Sequence, residues 1–272
     1  MLPADLQPDQ QPHRWDDHVS VYEAVFEPFT LQFARPAISA LGLAPGQSVL
    51  DVGAGSGGAA LAMAAQGLRV AGIDASARMV DRVVMRAAER GVSIVAEVMD
   101  GQALQFGDST FDAALSVLGV ILFPNAERGL AEMRRVVRSG GRVSVVTWTQ
   151  PQNYELATEL RRAIQWVWPD QPQAGLPAQL RYREEADFRA LFKAAGLAEP
   201  VITTVTARLD APSARLLSQN IEFAPGMAAM MADLGPRRAA ILERFVENLE
   251  ARSGNGLISL SGVAFIGTVQ VL

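Results

Sequence analysis

Two rhythms alternate along the chain. Apolar runs at 48–52, 69–74, 93–98, 111–117 and 142–148 have the length and composition of buried strands. Between them, residues 57–66, 76–90 and 125–137 place apolar side chains on one helical face: Met79, Val80, Val83 and Val84 in one case, Leu130, Met133 and Val137 in another. Ser76 is placed to cap the second helix and Gly91 to end it. Repeated strand–helix units of this length predict a parallel sheet with helices on both faces, joined by right-handed crossovers. Upstream, Trp15, Val19, Tyr22 and Phe26 recur at helical spacing, and Pro28 and Pro36 predict that 14–43 breaks into two or three short helices.

After residue 150 the rhythm changes. Helices are expected over 154–167 and 184–195, a strand over 200–208, more helix over 211–251 (clearest after Pro236) and a closing strand over 257–272. The expected architecture is α/β and Rossmann-like: a doubly wound, mostly parallel sheet of seven strands with a C-terminal antiparallel strand. Residues 1–13, rich in Pro, Gln and Asp, are expected to be a flexible tail.

Composition removes several function classes. The chain has 272 residues, 49% hydrophobic and 19% charged, enough for one large domain. A formal net charge of −5 gives no general attraction to nucleic acid or anionic lipid. The absence of cysteine excludes disulfides, thiolate nucleophiles and Cys-ligated zinc. With only His13 and His18, no metal site is expected. The first residues lack the basic and apolar regions of a signal peptide, and no apolar run reaches the ~20 residues of a membrane helix. The expectation is a cytoplasmic protein with no membrane partner; nothing indicates a homo-oligomer.

The chemistry sits at the first two strand ends. Gly53, Gly55 and Gly58 satisfy G-x-G-x-x-G between strand and helix. Glycines there let backbone approach a ligand, and the helix beginning beyond them offers unpaired N–H groups. Asp74 ends the second strand, where a carboxylate accepts ribose hydroxyl protons. To this point a nicotinamide oxidoreductase fits equally well. Asp51, two residues before the first glycine, favours a cationic ligand over a diphosphate, because like charges repel. Met99-Asp100-Gly101 follows the third strand, where an acid and a backbone N–H can meet an adenine edge. Ser116 leaves the fourth strand at its carboxyl end.

Together these residues resemble the class I S-adenosylmethionine-dependent methyltransferases, in the branch of small bacterial enzymes that includes the ubiquinone/menaquinone-biosynthesis type. The text that carries the resemblance is Val49-Leu50-Asp51-Val52-Gly53-Ala54-Gly55-Ser56-Gly57, Gly72-Ile73-Asp74-Ala75-Ser76, Met99-Asp100-Gly101-Gln102-Ala103-Leu104 and Arg134-Arg135-Val136-Val137-Arg138-Ser139-Gly140-Gly141-Arg142. It covers roughly residues 14–150, and Ala54 stands where many relatives carry Cys or Thr.

The resemblance implies S-adenosylmethionine as cofactor, S-adenosylhomocysteine as product and a small-molecule acceptor. It implies that Gly53, Ala54 and Gly55 line the methionine portion, Asp51 supports the ammonium and Asp74 holds the ribose. Ala75 or Met79 would pack on adenine, Asp100 would meet the exocyclic amine beside Gly101 and Gln102, and Ser116 or its carbonyl would face the ammonium. It implies the domain order 14–43 lid, 44–150 cofactor core, 151–182 and 209–256 helical cap, and 183–208 with 257–272 completing the sheet. Trp15 and Tyr22 would lie near the cofactor, although an aromatic stripe packing a helix onto the sheet explains them equally. Trp166, Trp168, Met227, Met230 and Met231 fit either a cap over an apolar acceptor or a helical core. His18 is the candidate base. The alternatives are a nicotinamide-dependent oxidoreductase, though no Tyr-x-x-x-Lys pair is present, and a non-catalytic cofactor-binding module.

Overall fold

A computed structural model describes residues 6–171, 175–253 and 256–272. The first five residues of the expected tail, and 172–174 and 254–255 of the expected cap, lie outside the described residues. One seven-stranded sheet organises the molecule: β1 (Ser48–Val52), β2 (Arg69–Asp74), β3 (Ile94–Val98), β4 (Phe111–Val117), β5 (Val137–Trp148), β6 (Val201–Ala211) and β7 (Ile258–Gln270), in the order β3-β2-β1-β4-β5-β7-β6. The first five strands pair in parallel, and β7 runs antiparallel to both β5 and β6. The chain reverses its direction of winding between β1 and β4. That switch point opens a crevice at the carboxyl ends of both strands, where ligands of open α/β sheets bind.

The helices, numbered in chain order, begin with α1 (Pro12–Trp15), α2 (Val19–Val21) and α3 (Glu27–Leu41). The core supplies α4 (Gly58–Ala64), α5 (Ala77–Glu89) and α6 (Ala126–Val136). Beyond it come α7 (Glu155–Val167), α8 (Glu185–Ala194), α9 (Ala214–Gln219), α10 (Pro225–Asp233) and α11 (Arg238–Ser253). Ser76 and Asn125 cap α5 and α6, accepting from the N–H groups of Met79 and Arg128. Two glycines on β7 show how the sheet is covered. A Cβ on Gly262 would meet Phe29 of α3, whereas one on Gly267 would meet Phe188 and Phe192 of α8. Five residues apart on one strand, they face opposite sides, so α3 covers one face and α8 the other.

Three expectations are corrected. Residues 14–43 do not break at Pro36: that proline lies inside α3, and Pro28 sits in its first turn, where its missing N–H is tolerated. Burial of Phe29, Phe33, Ala37, Ile38 and Leu41 outweighs the one backbone bond lost at Pro36. Residues 6–13 are not a free tail. The Asp9 carboxylate accepts the N–H of Gly226 at 2.7 Å, and the Gln7 side chain accepts from the N–H of Ala178 at 2.6 Å. Finally, β6 continues to Ala211, so the expected cap boundary at 209 falls within a strand; Ala211 pairs with Ile258.

Candidate functional site

The crevice is built from backbone. The N–H groups of Gly53 and Ala54 both donate to the carbonyl of Ile73 at 2.9 Å, which turns the chain sharply off β1. Gly53, Gly55 and Gly57 have φ of 72°, 55° and 91°, in the left-handed region that favours glycine. A Cβ on Gly53 would lie 3.0 Å from the Cα of Gly119, at the end of β4, so the two strand ends approach as closely as bare backbone permits. Gly58, the third glycine of the fingerprint, serves another end. A Cβ there would stand 2.7 Å from the Glu27 carboxyl carbon, so its empty space is taken by a side chain of α3.

Asp51 is 1% exposed, and neither carboxylate oxygen has a hydrogen-bond partner. Burial, with the Asp74 carboxylate adding to it, pushes its pKa up to about 7; the N–H of Ala60 acts in the opposite sense without closing a bond. Asp74, at the end of β2, accepts from the N–H of Gly55 at 2.8 Å and of Ser76 at 2.9 Å. Burial raises its pKa, these N–H groups oppose the rise, and Asp16 adds to it.

The other expected positions divide. Ala75 is exposed beside Asp74, whereas Met79 is buried inside α5. Asp100 is exposed and accepts from the N–H and the side-chain amide N–H of Gln102, and the Gln102 side-chain Oε1 accepts from the N–H of Asn125. Gly101 is buried beneath Phe123, whose ring a Cβ would approach to 2.5 Å. The Ser116 hydroxyl donates to the Val52 carbonyl at 2.7 Å and accepts from the N–H of Val120 at 3.0 Å. It ties β4 to β1. The neighbouring Leu118 holds a left-handed φ of 61°, a strain of the kind that collects at functional turns. Asp112 lies at the opposite end of β4, accepting from the N–H and hydroxyl of Ser48.

The N-terminal segment lies across the crevice. Residues Tyr22–Phe26 form a π-helical turn, closed by the N–H of Glu27 on the carbonyl of Tyr22, a distortion frequent at functional sites. It sets the Tyr22 ring beside the glycine loop, 3.6 Å from where a Gly55 Cβ would be. Trp15 meets Tyr22 edge to face at 5.9 Å and donates its indole N–H to the Asp9 carbonyl. The segment is pinned at both margins. Asp16 accepts from the Ser76 hydroxyl and the N–H of Arg78 at the start of α5. His18 Nδ1 lies 2.9 Å from the Glu222 carbonyl, and Phe26 stacks on Phe223 at 4.5 Å. A carbonyl only accepts, so Nδ1 carries the hydrogen and Nε2 is left as the basic nitrogen.

Sequence reasoning missed the lock beneath this segment. Arg86 of α5 donates to both carboxylate oxygens of Glu27 and to the Ser56 carbonyl, each at 2.7 Å; the Ser56 hydroxyl also donates to Glu27. One turn away, Arg82 pairs with Glu23 at 2.7 Å. The matched spacing of Glu23 and Glu27 against Arg82 and Arg86 was a readable signal. Trp166 is not in a helical core: it is 66% exposed under Arg244, and Trp168 lies partly buried under Arg237. Met231 is in the core.

Residues 49–141 match a family model described as a methyltransferase domain. The match covers about a third of the chain and is to a methyltransferase domain, a likeness carried by the strand and glycine-turn region described above. Among individual relatives, a protein of Mycobacterium tuberculosis with no assigned function is 38% identical over 112 residues, 41% of each chain. Demethylmenaquinone methyltransferase of Tropheryma whipplei is 34% identical over 135 residues, 50% of this chain and 55% of that one. The chain thus matches about half or less of the length of these curated relatives. Phosphoethanolamine N-methyltransferase 2 of Haemonchus contortus, solved with S-adenosyl-L-methionine, superposes with a TM-score of 0.58 at 17% identity, over 94% of this chain and 57% of that one. At that identity the likeness is one of fold.

Proposed function

We propose that this chain transfers a methyl group from S-adenosylmethionine to a small-molecule acceptor. The observation that carries the reading is Asp51: a buried carboxylate without a partner, beside a bare glycine cradle, suits a ligand that brings a cation. The residues present fit that cofactor. Gly53, Ala54 and Gly55 would border its methionine portion, Asp51 would meet its ammonium and Asp74 its ribose. Ala75, Asp100, Gly101 and Gln102 border the adenine end, with Met79 behind them as buried support.

The bound cofactor supplies an electrophilic methyl group on a sulfonium. The chain's own part is to hold and to exclude water. The glycine turn fixes one end of the crevice, and Tyr22 and Trp15 close over it from the N-terminal segment. Aromatic faces there suit a sulfonium, at about 0.5–2 kcal/mol. Holding donor and acceptor in attack geometry contributes roughly 7–11 kcal/mol to such displacements. His18, whose Nδ1 meets the Glu222 carbonyl, is our candidate base.

The acidic net charge speaks against a nucleic-acid acceptor. No helix among the described residues is long and apolar enough to cross a membrane, in keeping with our reading of a cytoplasmic enzyme. The comparisons give no support to a nicotinamide oxidoreductase. The test is incubation with a methyl-labelled donor and a host metabolite extract, followed by mass spectrometry. Label on one small molecule supports the reading; thermal stabilisation by NAD(P) and not by S-adenosylhomocysteine overturns it.

A further inference from the structure

Asp51 raises a question of charge that the proposed function leaves open. Its carboxylate is surrounded by groups that do not neutralise it. From β2 comes Asp74, another acid. From the lid comes Tyr22, whose phenol is pushed further from ionisation by burial and by Glu27. From α3 comes Glu27, but Arg86 is already spent on it and on the Ser56 carbonyl. The α4 helix, Gly58–Ala64, has no ionisable side chain. The acid of β4, Asp112, is at the far end of its strand, bound to Ser48 and Arg138. No cation among the described residues reaches Asp51. A buried carboxylate in that position is costly in its charged form.

We infer that the crevice is a proton-exchange site: in the free protein Asp51 carries a proton, and the arrival of an ammonium-bearing ligand displaces it to solvent. The inference rests on the cofactor reading above. No covalent bond other than the carboxyl O–H is broken; the proton goes to water, and the ligand's positive charge replaces it. The raised Asp51 pKa agrees with the geometry. The sign follows. Below neutral pH the ligand must first remove a proton, so its affinity falls as pH falls. With a free-state pKa of about 7, affinity at pH 6 is about tenfold weaker than at pH 8.

The experiment is calorimetry of the full chain at pH 6 in two buffers of different ionisation enthalpy, with S-adenosylhomocysteine and with methylthioadenosine. The second probe has the same nucleoside thioether and no ammonium. Release of close to one proton with the first and none with the second is the expected result. Asp51→Asn should abolish the release while some binding persists. As a second measurement, the infrared difference spectrum of the wild-type chain should lose a protonated-carboxyl C=O band on binding S-adenosylhomocysteine. Binding of S-adenosylhomocysteine without proton release, or without loss of that band, overturns the inference and leaves the cofactor reading standing. No binding of S-adenosylhomocysteine at any pH overturns both.

Discussion

Glu27 and Arg86 face each other in the protein interior, joined by two parallel 2.7 Å bonds between α3 and α5, with the glycine loop held between them through Ser56. Removing one partner strands a buried charge. Glu27→Gln should therefore destabilise the protein by about 3–5 kcal/mol, whereas Glu27→Met combined with Arg86→Met should cost clearly less than the sum of the two single changes. Urea denaturation of the wild type, Glu27→Gln, the two single Met variants and the double variant measures it.

The glycines of the fingerprint should separate by substitution. Gly58→Ala drives a Cβ into the Glu27 carboxyl group and should cost about 1–3 kcal/mol of stability, as overpacking does. Gly55→Ala has ordinary space beside Tyr22 but needs a left-handed φ, at about 1–2 kcal/mol. Its larger effect should be on cofactor affinity, because the new methyl group fills the cradle. Melting temperature and a binding isotherm for each variant distinguish the two.

Asp74 organises the loop before any ligand arrives, accepting from both Gly55 and Ser76. Asp74→Ala should weaken cofactor binding by roughly 1–3 kcal/mol, through lost charge-assisted hydrogen bonds. Unchanged affinity in calorimetry would show that the ribose lies elsewhere.

Asp51 also governs stability against pH. Its folded-state pKa stands above the unfolded value, so between about pH 4 and pH 7 the folded chain binds the extra proton. Its contribution is fully present below that window and declines as pH rises through it. Asp51→Asn should flatten this decline and make the free protein more stable than wild type at pH 8, by a few kcal/mol. Thermal melts across that range test the sign.

His18 ties the lid to the cap through the Glu222 carbonyl. His18→Ala should weaken cofactor binding by about 1 kcal/mol, the worth of one hydrogen bond, and leave kcat largely intact. A collapse of kcat at unchanged affinity would instead assign it as the base.

The strand–helix core was legible because local pattern and fold agree there: the expected bounds of β1, β2 and β4 match the structure to the residue, and Ser76 caps as expected. The sharp glycine turn and the buried place of Asp51 were readable for the same reason, since both sit at the end of a clearly marked strand. What was not legible depends on distant partners. Nothing local marks Pro36 as tolerable; the burial of its helix neighbours Phe33, Ala37 and Ile38 decides that. Residues 6–13 look unstructured until Gly226 and Ala178 supply partners from more than 150 positions away. Ser116 and Gly101 were read from their place beside the site, but the contacts of the Ser116 hydroxyl with Val52 and of Gly101 with Phe123 come from other elements and left no local mark.

The cap departs from the sheet at Ala211 and returns at Ile258, two residues that are paired neighbours on adjacent strands. Its entry and exit points therefore stay fixed whatever lies between them, as insertions at close-set termini allow. Exchanging the 212–257 segment on this framework, with its lid contacts at Glu222, Phe223 and Gly226 retained, leaves the glycine turn and Asp51 in place and tests whether the segment selects the proposed acceptor.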